Sequence, residues 1–312
     1  MNSTFLIYGK IIIDDIRLRS GAIVPGKLGG GGPQAAFGMR LWHDDVALLT
    51  RSGEDLELGH RRVLQGLGLD LSGWARYDDL PTPRNLMEYD EHEYMHSQGL
   101  TTSKADWERL LSRPLTLSPR HRQAAGIHLI TELAHEPMVA SAIELQRGGA
   151  LCSLEPIFDD HSCPDRPALL DLARRVDIVT PDWPSASAFA GSDRPQDVLR
   201  YWSALGPQAL AIRHGAHGSY VWDRQHGQAW HIPVLPVQAI DPTGAGNAYG
   251  GGWCIGWWRF RDARLAGCYA TVAAALMVSH TGMPPLDDEN RHLATTLLET
   301  ALHQTAEIGD RR

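Results

Sequence analysis

Asp241-Pro242-Thr243-Gly244-Ala245-Gly246-Asn247-Ala248-Tyr249-Gly250-Gly251-Gly252 follows an apolar, proline-punctuated segment (232–240) and opens an apolar run of helical character. The pattern predicts a strand, a glycine turn and a helix start. The first N–H groups of a helix lack intrahelical partners, and its dipole favours negative charge there. Gly244 and Gly246 let the backbone approach an anion with no Cβ in the way. The stretch reads as a phosphate-binding corner.

Composition limits what such a corner serves. The chain has 312 residues, 43% hydrophobic and 21% charged, enough to build a sizeable core as one α/β unit. Net charge is −8 with no basic run, which argues against a nucleic-acid surface. The four cysteines (Cys152, Cys163, Cys254, Cys268) form no C-x-x-C pair, so a reduced, cytoplasmic setting is expected. Residues 5–13 are apolar but broken by Lys10, and they read as a buried strand rather than a leader peptide. No apolar run reaches the length of a membrane span.

Short apolar runs at 46–50, 126–129, 150–154, 177–179 and 209–212 alternate with helical stretches at 33–42, 57–67, 138–146, 168–173 and 195–205. That alternation predicts a mostly parallel sheet with helices on both faces. Residues 80–100 break it. Pro81, Pro83 and an alternating pattern around Asp90-Glu91-His92 predict a hairpin outside the main sheet.

The 241–252 stretch resembles the C-terminal signature of the PfkB, or ribokinase-like, sugar and nucleoside kinases, D-T-x-G-A-G-D-x-F-x-G-G. The resemblance implies a three-layer α/β sandwich, residues 1–312 as one domain, with a small β lid from about 10–20 and 80–100 that often mediates dimerisation. It implies transfer of the γ-phosphate of ATP, with Mg²⁺, to a hydroxyl of a sugar or nucleoside-like molecule. In the family the last Asp of G-A-G-D is the general base. Here Asn247 stands there, as in a divergent subgroup typified by fungal proteins, and a neutral amide cannot take that proton.

Other segments carry the resemblance in order. Asp14 matches the Asp after the first strand that binds substrate hydroxyls. Gly29 to Gly32 match the N-terminal G-G-x-x-x-N signature, implying substrate contact at Gly30, Gly31 and Gln34, with Ala35 where the family has Asn. Gly53-Glu54-Asp55 resembles a structural turn. Glu155 falls where many members carry D-x-N. Asp182 falls in N-x-x-E, but Ser185 replaces the Glu, so a magnesium site on Glu155 and Asp182 is implied only in weakened form. Arg213, Gly215 and Gly218 resemble the nucleotide-side turn, joined by Thr243. Ala274, in an alanine-rich helical block, implies room for adenine. The resemblance assigns Gly244, Ala245 and Gly246 to the anion hole and leaves Asn247 to orient the attacking hydroxyl. Loss of the base, of the Asn and of the Glu together supports an alternative, a protein that binds a sugar, nucleoside or nucleotide without phosphorylating it.

Two other motifs compete. His92-Glu93-Tyr94-Met95-His96 spells H-E-x-x-H, which needs both His on one helical face; on a strand they lie roughly 13 Å apart. Gly30, Gly32 and Ala35 fit G-x-G-x-x-A, but a dinucleotide turn follows the first strand directly and here residues 17–28 intervene. No G-x-S-x-G elbow or Walker A lysine occurs.

Overall fold

The structure is a computed structural model and describes residues 4–17, 23–89, 95–158 and 163–309. Parallel β5 (Trp74–Tyr77), β4 (Val46–Gly53), β1 (Phe5–Tyr8), β8 (Gly126–Thr131), β9 (Leu151–Pro156), β10 (Ile178–Val179) and β11 (Ala209–Arg213) lie side by side in that order. Antiparallel β12 (Ser219–Asp223), β13 (Ala229–Ile232) and β14 (Ala306–Glu307) extend the far edge.

β1 shows why the sheet is covered twice. Phe5 and Ile7 feed one core, while Leu6 and Tyr8 feed the other. Side chains alternate across a strand, so an unbroken apolar run needs apolar partners on both faces. α1 (Gly32–Arg40), α8 (Ala245–Phe260), α9 (Ala263–Val278) and α10 (Asp288–Gln304) supply the first core. α4 (Pro137–Arg147), α5 (Arg166–Ala173), α6 (Trp183–Ala190) and α7 (Pro195–Ala204) supply the second. Of the two remaining helices, α2 (Leu58–Gly66) reaches the second sheet, His60 Nε2 bonding Gly26 O at 2.8 Å, and α3 (Lys104–Ser112) packs beside β4.

That second sheet has four strands in the order β3 (Ile23–Gly29), β2 (Ile12–Arg17), β6 (Arg84–Tyr89) and β7 (Met95–Leu100). β6 and β7 pair antiparallel, as the alternation at 80–100 predicts. Met95 and His96 of the H-E-x-x-H run lie on strand β7, while His92, Glu93 and Tyr94 fall outside the described residues. Asp55 ties the exit of β4 to the entry of β6, accepting from Thr82 N and Oγ1 at 2.7 and 2.6 Å.

Two expectations change. Residues 5–13 form two strands, because the chain breaks at Gly9, where a Cβ would stand 2.5 Å from Gly32 Cα. Residues 233–244 form no strand. Pro233 and Pro236 lack ladder donors, and the segment instead docks on the end of α9, with Ile240 N donating to Val278 O at 2.7 Å.

The placement of α8 is set by glycine. A Cβ on Gly251 would sit 2.1 Å from Ala35 O, and one on Gly38 would sit 2.0 Å from Ala248 O. α1 and α8 therefore touch backbone to backbone, which brings their N-termini to one corner at the C-terminal ends of the parallel strands.

Candidate active site

α8 starts on Gly244 with φ 79°, a left-handed turn that glycine adopts without cost. No side chain caps this helix and no acidic residue lies in its first turn. Asp241 folds the preceding loop, its Oδ1 accepting from Thr243 N at 3.0 Å. The Ala245 amide donates to Pro242 O at 3.2 Å. Of the expected anion hole, Ala245 spends its amide on the turn, Gly244 and Gly246 flank it, and Asn247 lies one residue further into the helix.

Side chains crowd this mouth. A Cβ on Gly246 would stand 2.2 Å from Arg213 Nη1, and one on Gly244 2.3 Å from Gln34 Cγ. Asn247 faces Gly31 at the start of α1, its Nδ2 2.9 Å from where a Gly31 Cβ would be. The backbone is covered, but by a guanidinium and two amides.

Glu155, near the end of β9, joins these residues. Its Oε1 accepts from Arg213 Nη1 at 2.7 Å and from Asn247 Nδ2 at 2.9 Å. Its Oε2 lies 3.4 Å from His128 Nε2, and His128 Nδ1 bonds Ser153 Oγ at 2.8 Å. Burial works against ionisation of Glu155, but the Arg213 charge and the His128 hydrogen bond outweigh it and hold the carboxyl below its ordinary range. Arg213 Nε is buried and has no partner among the described residues.

Asp14 is 3% exposed on β2. Its Oδ2 presses on Gly29, 1.7 Å from where a Cβ would be. Burial, opposed by a hydrogen bond from Asn85 and reinforced by Asp15, pushes its carboxyl up to about 7. The sign follows directly. An acid raised on folding is most favourable when protonated, so stability falls as pH rises from the unfolded value towards 7. Asp14→Asn is expected to stabilise the ligand-free protein at pH 8 by about 4 kcal/mol at most, read as a higher melting temperature, and to have far less effect at pH 4. A lower melting temperature at pH 8 would contradict this reading of Asp14.

The residues expected on the nucleotide side follow one another from the end of β11. Arg213 ends β11; Gly215–His217 make a 3-10 turn, and Gly218, at φ 84°, approaches Ile232 O so closely that a Cβ would sit 2.2 Å from it. His214 stacks on Trp183 with centroids 4.0 Å apart and 12° between planes. Burial, with His217 and His231 nearby, pushes its pKa down to about 4, so it is a neutral ring at physiological pH. Ala274 is half-buried on α9 and packs against the core.

The two carboxylates read for magnesium stand apart in role. Asp182 caps α6, accepting from Ser185 N at 3.3 Å, and Glu155 is engaged as above. Among the described residues no group of three or more His, Cys, Asp or Glu side chains is arranged to hold a metal ion. Glu155 and Asp182 are each engaged with protein groups, and a Mg²⁺ near them would take most of its ligands from nucleotide phosphates and water. Among the described residues, no helix is long and apolar enough to cross a membrane.

The sequence reading missed His128 and Asn85. His128 is a polar residue inside the apolar run Gly126-Ile127-His128-Leu129-Ile130, which was its available signal. Asn85 had none, since its place beside Asp14 comes from the β2–β6 register.

An α/β sandwich with a side sheet and a glycine-lined helix mouth at the strand ends is the ribokinase-like architecture. Residues 13–288 match the pfkB family carbohydrate kinase, and the chain belongs to that family. It is 24% identical over 259 residues to the cytidine kinase of Thermococcus kodakarensis, spanning 82% of this chain and 89% of that one. It is 33% identical over 118 residues to the 2-dehydro-3-deoxygluconokinase of Thermoproteus tenax, spanning 38% and 36%. The fold superposes with a TM-score of 0.72 on the aminoimidazole riboside kinase of Salmonella enterica, solved with aminoimidazole riboside and an ATP analog, at 18% identity and covering 95% and 99% of the two chains.

Proposed function

We propose that this protein transfers the γ-phosphoryl group of ATP to a hydroxyl of a sugar or nucleoside-like substrate, without a carboxylate base at position 247. One observation carries the reading: among the described residues, Arg213 Nε is a buried donor with no partner, beside a helix mouth that no side chain caps. An anion there satisfies both. The Gly246 and Asn247 amides with Arg213 would bind the transferring phosphoryl, and such preorganised donors are a large part of catalysis in phosphoryl transfer. Asp14 would hold substrate hydroxyls beneath the side sheet. Asn247 spends its N–H on Glu155, so its Oδ1 is left to orient the attacking hydroxyl. The new O–P bond forms as the bond to the β-phosphate oxygen breaks and ADP leaves. The hydroxyl proton departs to water or to a phosphoryl oxygen, since Asn247 cannot hold it. Magnesium would come with the nucleotide, held by phosphate oxygens and water.

A second reading, binding without phosphoryl transfer, is favoured by the same Asn247–Glu155 hydrogen bond, which leaves no free carboxylate at the helix mouth. The assay that separates them is ADP release with and without a panel of sugars and nucleosides. Phosphotransfer predicts release that depends on one acceptor class. Binding of acceptor and nucleotide with no acceptor-dependent ADP supports the second reading.

A further inference from the structure

Three buried side chains from separate elements each leave an oxygen with no hydrogen-bond donor among the described residues: Asp14 Oδ1 on β2, Gln34 Oε1 on α1 and Asn85 Oδ1 on β6. They gather around one short piece of backbone. Asp14 packs on Gly29, and Gln34 Nε2 donates to Leu28 O at 2.6 Å. Asn85 stands opposite Asp14 in the parallel β2–β6 register and shares a side-chain hydrogen bond with it. Both amides spend their N–H end on the protein and leave the oxygen end unused. Buried polar atoms in folded proteins nearly always find partners. Three orphaned acceptors together call for a ligand that brings hydrogens.

Resting on the reading that the phosphoryl acceptor binds at these oxygens, we propose that Asn85 is a specificity-determining residue that, with Asp14 and Gln34, selects an uncharged polyhydroxylated substrate over a carboxylate-bearing one. Hydroxyls donate to all three oxygens. A carboxylate brings acceptors only, and it would be set among acceptors and a second carboxyl. Discrimination of this kind comes as much from unpaired groups in the wrong complex as from contacts in the right one. An acidic sugar would have to recruit Lys27, which lies opposite Asp14 on β3.

The test is calorimetric titration of the full chain without nucleotide. Fructose, ribose and cytidine serve as neutral probes, with 2-dehydro-3-deoxygluconate and gluconate as acids. At least one neutral compound is expected to bind, with both acids at least tenfold weaker. Asn85→Leu is expected to weaken the neutral compound about tenfold and to narrow the neutral-to-acid ratio, which a merely structural role would not move. Asn85→Ala repeats the measurement if the leucine variant does not fold. The proposal is overturned if an acid binds as tightly as the best neutral compound, if no neutral compound binds, or if both variants keep wild-type affinity within twofold. Neutral binding without turnover in the ADP assay would leave the specificity standing and remove the kinase reading.

Discussion

Asn247→Asp is expected to raise acceptor-dependent phosphotransfer about 10²-fold, with a gain that grows as pH rises. The substitution supplies the general base that the native chain lacks, and such a base is worth about 10²–10⁴-fold. The lower end applies because the new carboxylate would stand where Nδ2 now lies, 2.9 Å from Glu155 Oε1. A donor facing a carboxylate becomes a second carboxylate. Glu155 is held ionised by Arg213 and His128, so the shared proton falls on the new Asp and raises its pKa. A base works only when deprotonated, so the variant's rate should climb with pH through that raised value while the wild-type rate does not follow it. The check is a pH profile of kcat for both proteins. No gain at any pH would mean that another group already serves as base or that the corner does not perform transfer.

Arg213→Met is expected to lose about 10²-fold in phosphotransfer and to destabilise the fold by about 3 kcal/mol. The rate loss is the usual cost of removing one donor from an oxyanion or phosphoryl site. The stability loss has a separate cause. Glu155 is 3% exposed and Arg213 15%, and removing one partner of a buried pair strands the other charge. The double variant Glu155→Met with Arg213→Met should regain most of the stability and none of the rate. The sign of the pH dependence is fixed. Glu155 titrates below its unfolded value in the native fold, so its contribution is full above the ordinary glutamate range and lost as pH falls through the folded value. Melting curves of wild type and Arg213→Met should therefore differ most near neutral pH and converge in acid.

Much of the fold could be read along the chain because its signals are local. The glycines at 29–32 and 244–252, the β–α alternation and the hairpin at 80–100 all act within a few residues. The strand expected at 232–240 failed for a local reason as well: apolar residues there are interleaved with prolines, and the segment bonds to the end of α9 instead of a sheet. The antiparallel edge of β12 to β14 went unread because β12 and β13 mix polar and aromatic residues and β14 is only two residues long.

The site was legible only in parts. Asn247, Glu155 and Arg213 each stood out alone, but their union spans 92 and 58 residues of sequence separation. Sheet order creates it, not spacing. Asn85 reaches Asp14 through a register between two sheet strands, which no motif encodes. Likewise, Arg213 covering Gly246 turns an expected bare amide cradle into one with a built-in positive charge.

The claim on which the rest depends is that the mouth of α8, with Arg213 over it, receives the γ-phosphate. The direct measurement is a ¹H–¹⁵N TROSY titration of the protein with a non-hydrolysable ATP analog, with AMP as the control. The amides of Gly246 and Asn247 and the Arg213 Nε–H should shift with the triphosphate and stay in place with AMP. Saturable binding of the analog that leaves those three resonances unmoved would contradict it.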